Sequence, residues 1–204
     1  LESLDGKTPL AAANIPAMDR AAREGITGQF MPIPDGFPPG SDIGNLSVFG
    51  FDPHENFTGR APLEAVNQGI DIAANQLVFR CNLVTLGDGI MKDFTADHIS
   101  SEEAAELIAA LNAELGNEGA RFYPGVGYRH LLLLDADEET KAAYQALKCT
   151  PPHDISDQEF APHYPKGELY DSVVELMEKS REILHDHPVN QKRIANGKSP
   201  ATSI

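Results

Sequence analysis

The chain predicts an α/β fold in which helices pack on a mixed sheet. Three observations carry this reading. Residues 77 to 86 alternate with a period of two and run into a Gly87-Asp88-Gly89 turn; a capped helical repeat follows from Ser100; and Leu131 to Leu134 form an apolar run that needs cover on both faces. Read in order as hairpin, helix, strand, helix, loop and helix, these elements describe an α/β domain.

Each element has a local cause. Residues 16 to 24 predict a short helix, with Pro16 at its first position and Gly25 just past its end. Pro32, Pro34, Gly36, Pro38, Pro39 and Gly40 make a stiff loop, after which Ile43, Leu46 and Phe49 repeat at helical spacing. A domain boundary is expected near residues 52 to 60, followed by a short helix from Pro62 to about Gly69. In the strand at 77 to 86, Leu77, Phe79, Cys81 and Leu83 point one way and Val78, Arg80, Asn82 and Val84 the other, so Arg80 and Asn82 share a face. A second strand at 90 to 94 completes a hairpin. Ser100 and Glu103 form a capping box, and Ala104, Leu107, Ile108, Leu111 and Leu115 continue the helix to Gly116. Residues 120 to 134 read as strand interrupted at Pro124 to Gly127. Residues 135 to 148 read as a charged short helix, and residues 149 to 165 as a loop rich in proline and histidine. An amphipathic helix from Glu168 to Leu184, with Leu169, Val173, Leu176, Met177 and Ile183 on one face, stops before Pro188.

Composition narrows the function classes. With 204 residues the chain can bury a real core, about 70% of its unfolded surface. The excess of 31 Asp and Glu over 16 Lys and Arg gives a net charge of −15, which argues against a general nucleic-acid or anionic-membrane surface. Cys81 and Cys149 lack a CxxC spacing and read as reduced thiols in a cytoplasmic protein. No apolar run reaches the roughly 20 residues of a membrane span. The chain opens at Leu1 without an initiator methionine and stops at Ile204 in what resembles the start of a strand, so it reads as an internal fragment.

Candidate chemistry centres on Ser41. Pro38-Pro39-Gly40 delivers it to the start of a helix, where unpaired N–H groups and the positive end of the helix dipole favour a phosphate. A serine so placed could carry a phosphoryl group; an ordinary helix-capping serine in a surface loop accounts for the local pattern more economically. Arg80 and Arg129 lie inside strands, where a guanidinium fork suits phosphate or carboxylate and a solvent-facing sheet is the alternative; Arg60 serves either an anion or a carbonyl. His98, His130 and His153 are the histidines with candidate roles. His185-Asp186-His187 fits a dipole-stabilising helix end better than a metal site, and His54 and His163 read as surface residues. Lys198 follows Gly197 without the spacing of a phosphate loop.

The run PPGSDIGNLSVFGFDP resembles the nucleophile segment of archaeal-type cofactor-independent phosphoglycerate mutases, members of the alkaline phosphatase superfamily. In the same order follow GKTPLAAA before it and TGRAPLEA, FRCNLVTL, His98-Ile99-Ser100, YRHLLL, CTPPHDI, DHPVN and NGKSPA after it, covering most of the chain. One departure stands out: Ile15 and Ala17 flank Pro16 where the family has Thr and Asn, which removes a helix cap.

This resemblance implies that residues 1–55 belong to the nucleophile-bearing part of an alkaline-phosphatase-like domain. Residues 56–204 would form an inserted α/β domain that covers the substrate. It implies interconversion of 2-phosphoglycerate and 3-phosphoglycerate through a phosphoserine at Ser41, with Asp42 at an acidic position of the motif. Arg60, Arg80, Asn82, His98, Arg129, His130, His153 and Asp154 are the implied substrate-binding residues. Ser41 would also be a metal ligand, in a site of two divalent ions: manganese or zinc, with magnesium a third option. The remaining ligands are expected outside this chain, in the rest of its own polypeptide, so the fragment is expected to bind no metal tightly and to be inactive alone. A non-catalytic phosphoester-binding domain and a phosphatase of the same superfamily are the alternatives. A phosphopentomutase fits less well, since those relatives use threonine.

Overall fold

The strand predicted at 77 to 86 breaks in two. In the computed structural model, which describes residues 2–117 and 119–204, β1 spans Gln76–Asn82 and β2 spans Thr85–Gly87. The cause is the length of the partner. β5 (Arg129–Asp135) pairs with β1 from Gln76 opposite Asp135 to Asn82 opposite Arg129, and beyond Arg129 there is no strand left to follow. The Leu83 N–H then donates to the Tyr128 carbonyl and the Val84 N–H to the Ser203 carbonyl, which carries the chain off the sheet. β2 pairs with β3 (Ile90–Asp93) across a turn in which Asp88 and Gly89 both have positive φ, the geometry of a two-residue hairpin.

The sheet is antiparallel throughout, not mixed as expected. Its order is β1, β5, β4, with β4 at Ala120–Tyr123. β1 and β4 do run parallel, as a crossover through a helix demands, but β5 inserts between them and turns every hydrogen-bonded pair antiparallel. The α/β class itself holds.

Nine α-helices are described: α1 Pro9–Ala12, α2 Pro16–Glu24, α3 Ser41–Val48, α4 Pro53–Asn56, α5 Arg60–Asn67, α6 Ser101–Glu114, α7 Glu138–Gln145, α8 Tyr170–His185 and α9 Pro188–Ala195. Ser100 caps α6 through the reciprocal box with Glu103. α8 starts two residues later than expected because Leu169 adopts a left-handed conformation at φ 61°, which takes it off the helical face. α9 was not foreseen.

The chain divides into two units, Leu1–Phe57 and Thr58–Ile204. In the second, β5 is buried on both faces. Leu131 packs with Ala61 and Ala65 of α5, while Leu132 and Leu134 join Leu107, Ile108 and Leu111 of α6. Burying each of these leucine and isoleucine side chains contributes roughly 2 kcal/mol. The first unit is thinly packed. Ile43 and Pro53 are its buried residues among those described, and Met18, Phe30, Met31, Phe49 and Phe51 are exposed.

Candidate functional site

Ser41 is the first residue of α3. Gly40 occupies the cap position with an extended backbone and no side chain, so no capping side chain closes the helix start. Ser41 is exposed, with Asp42 following in the first turn. The partial positive charge of that helix end suits an anion held beside the serine hydroxyl.

In the second unit, a cleft of about 440 Å³ runs along the open edge of β1. Arg60 enters it from the start of α5, Arg80 and Asn82 from β1, and Arg129 from the start of β5. Asn82 stands opposite Arg129 in the register, and Arg80 is two residues away on the same face. The Arg80 Nε lies 3.0 Å from Glu64 Oε1, an ion pair by distance, yet it is not aligned for a hydrogen bond and is left without one. Asn82 Oδ1 is buried and also unpartnered. The Arg129 guanidinium lies 5.9 Å from the centre of the Tyr128 ring.

Residues 149 to 153 form the facing wall, at the start of a loop closed at its base by a two-way backbone pair between Lys148 and Lys166. His153 lines the cleft, with its ring 6.0 Å from that of Phe94 and its Nε2 3.4 Å from Asp154 Oδ1. Asp154 itself is outside the lining. His163, read from sequence as a surface residue, is part of it, and nothing in its local pattern signals that.

Two of the candidate histidines lie elsewhere. His98 is exposed at the end of a left-handed turn formed by Ala96, Asp97 and His98, with φ of 48°, 53° and 48°. Such a run in non-glycine residues is strained and persists only where its surroundings enforce it. Here the Asp93 carboxylate accepts from the Thr95 hydroxyl, the Thr95 N–H and the Asp97 N–H. Burial pushes the Asp93 carboxyl up, but these bonds and the nearby His98 outweigh it and hold it below the usual carboxylate range. Arg193, 1% exposed, locks the turn from behind through the Ala96 carbonyl at 2.5 Å and Glu103 Oε2 at 2.5 Å.

His130 is 1% exposed and is not among the residues lining the cleft. It alternates with Arg129 and so shares the α6 side of β5 with Leu132. Its Nδ1 accepts from the Gly125 N–H at 3.0 Å, which leaves the hydrogen on Nε2, and that atom is buried without a partner. Burial pushes its pKa down to about 4, so the ring is neutral. Cys81, opposite His130 in the register, is pushed up to about 12 by burial and is an inert thiol.

His187 accepts from the Val189 N–H at the start of α9, and His185 sits in the last turn of α8 beside Asp186. Among the described residues no group of three or more His, Cys, Asp and Glu is placed to hold a metal ion, so the donors present do not fit a two-metal centre. No helix among the described residues is long and apolar enough to cross a membrane.

Three guanidinium groups gathered on one edge-strand cleft of an α/β domain suit a small anion. A family model described as 2,3-bisphosphoglycerate-independent phosphoglycerate mutase matches residues 22–190, and the chain belongs to that family. It is 49% identical over its whole length to the enzyme of that name from Methanosarcina barkeri and 44% identical to one from Methanothermobacter thermautotrophicus. The chain spans about half the length of these curated relatives, 50% and 49% respectively. Among solved structures it resembles the cofactor-independent phosphoglycerate mutase of Thermoplasma acidophilum, with a TM-score of 0.61 and 28% identity, over 100% of this chain and 54% of that one.

Proposed function

We propose that this chain is the nucleophile-bearing and substrate-covering portion of an enzyme that interconverts 2-phosphoglycerate and 3-phosphoglycerate in glycolysis. The observation that carries this reading is the grouping of Arg60, Arg80 and Arg129 on one cleft in a chain of that family. On this reading residues 1–55 bring Ser41 and residues 56–204 bring the cleft.

The Ser41 hydroxyl attacks phosphorus, the bond from phosphorus to the substrate oxygen breaks, and phosphoserine forms while a base takes the hydroxyl proton and the departing substrate oxygen gains one. The glycerate stays held by arginine pairs to its carboxylate, reorients, and attacks the phosphoserine with its other hydroxyl, which releases Ser41. Holding the glycerate matters because its escape would convert transfer into hydrolysis. His153 and His163 are the imidazoles that line the cleft. We place the donors for the manganese, zinc or magnesium ions in the half of the relatives' length that this chain does not span. The names the relatives carry lend no support to the phosphatase or non-catalytic alternatives.

Calorimetric titration of the 204-residue chain tests the binding half of this reading. We expect 3-phosphoglycerate to bind more tightly than inorganic phosphate, and Arg129→Met to weaken it about tenfold or more. Equal affinity for the two anions, or no effect at Arg129, overturns it. In a manganese-supplemented assay the chain alone is expected to show little or no interconversion, and turnover comparable with a complete enzyme would refute the assignment of the missing donors.

A further inference from the structure

We infer that Asn82 reads the free hydroxyl of the bound phosphoglycerate, and so makes the cleft selective for hydroxy acids over other phosphorylated carboxylates. This rests on the phosphoglycerate reading and assigns it a specificity residue.

One buried polar atom of the cleft is left without a partner: the Asn82 Oδ1 acceptor, on the strand face that also carries Arg80. The Arg80 Nε already has the Glu64 carboxylate 3.0 Å away, whereas Asn82 Oδ1 meets no donor within the protein. As residues two apart on β1, their Cα atoms are about 7 Å from one another and their side chains point the same way. Buried polar groups are satisfied in nearly all cases, so an orphan acceptor in a cleft lined by arginines describes a ligand with anionic acceptors for the arginines and a donor close by.

Charge identifies the acceptor. Arg60, Arg80 and Arg129 donate only, and a cleft lined by their guanidinium groups suits an anionic oxygen. An ionised carboxylate or phosphate accepts only, so it leaves Asn82 Oδ1 unsatisfied. The donor must therefore be a neutral hydroxyl or an amine on the same molecule. An ammonium group is disfavoured beside three guanidinium groups, which leaves the hydroxyl. Both 2-phosphoglycerate and 3-phosphoglycerate carry one free hydroxyl adjacent to the phosphoester carbon, so a single acceptor serves both ends of the reaction.

The test compares 3-phosphoglycerate with its deoxy analogue, 3-phosphooxypropanoate, which keeps the carboxylate and the phosphate and lacks the hydroxyl. Calorimetry on the 204-residue chain is expected to show a preference of about tenfold for the hydroxylated ligand. Asn82→Leu, close in size and without an acceptor, is expected to bind the two ligands within about twofold of each other. Asn82→Asp retains the acceptor and is expected to weaken both ligands while preserving the preference. If the wild-type chain binds both ligands equally, or if Asn82→Leu keeps the wild-type ratio, the inference is overturned while the phosphoglycerate reading stands. If neither ligand binds a chain that is folded by circular dichroism, the phosphoglycerate reading falls and takes this inference with it. A merely structural asparagine would change both affinities and leave their ratio alone.

Discussion

Acid should unfold this protein partly through His130, and the size of the effect follows from its surroundings. The ring is 1% exposed, accepts from the Gly125 N–H and has no partner for Nε2, so no nearby group offsets the cost of charging it. Burial lowers its pKa from 6.5 to about 4. In the unfolded chain the ring protonates as pH falls below 6.5; in the folded protein it resists until about 4. The unfolded state therefore binds more protons in this window, and stability rises with pH across it. The contribution is complete above the unfolded value and is lost between there and the folded one. At about 1.4 kcal/mol for each tenfold change in proton concentration, the loss amounts to about 3 kcal/mol. Urea unfolding of the wild type and of His130→Asn, followed from about pH 7 to about pH 4, isolates it. Asparagine keeps an acceptor for Gly125 and cannot titrate, while the carboxylates that also respond to acid are common to both proteins. The wild type should lose its margin over the variant as the pH falls. A constant difference across the interval refutes the account of a buried neutral imidazole.

Other perturbations have equally local causes. Replacing Arg193 by Met removes the donors to the Ala96 and Ser199 carbonyls and to Glu103, and should cost about 3–5 kcal/mol in urea unfolding, with faster amide exchange in the turn before His98. A Gly125→Ala substitution places a methyl group 2.2 Å from the Arg129 carbonyl oxygen. Backbone must move to relieve it, at about 1–3 kcal/mol read from the thermal midpoint. Removing the α6 cap with Ser100→Ala should cost about 1 kcal/mol, and Ser100→Asp should recover most of it.

What the sequence made legible was whatever is decided locally. The α6 helix was readable because its cap and its apolar period both lie within fifteen residues, and the shared face of Arg80 and Asn82 followed from a period of two. The end of β1 was not, since it is set by where β5 begins, some fifty residues later. α9 was hidden for a different reason. Two of its three buried residues are Asn190 and Arg193, so its inward face is polar and leaves no apolar stripe. Asn190 is satisfied by the Leu184 and Ala201 carbonyls and Arg193 by the left-handed turn, contacts that exist only once the chain has folded. The cleft itself was half readable. Its strand arginines stood out as charges among apolar residues, but its far wall is a loop whose placement depends on the backbone pair between Lys148 and Lys166. His130 adjoins Arg129 in the sequence, but alternation sends neighbouring strand residues to opposite faces.

The charge of the chain makes the arginine grouping more telling. At −15 overall, the protein repels a phosphorylated acid at long range, and steering by net charge cannot help it bind. Screening limits that repulsion to roughly 8 Å at physiological ionic strength, so the outcome is decided by the charges within the cleft. There Arg60, Arg80 and Arg129 arrive from three separate segments, and Glu64 offsets part of the charge on Arg80. Such a site favours anions as a class, because a guanidinium fork accepts a carboxylate or a phosphate from any metabolite with similar readiness. Discrimination has to come from a group that charge does not govern. A buried neutral acceptor penalises every ligand that fails to donate to it, which is why the unpaired carbonyl of Asn82, more than the arginines around it, would set which phosphorylated acid the cleft retains.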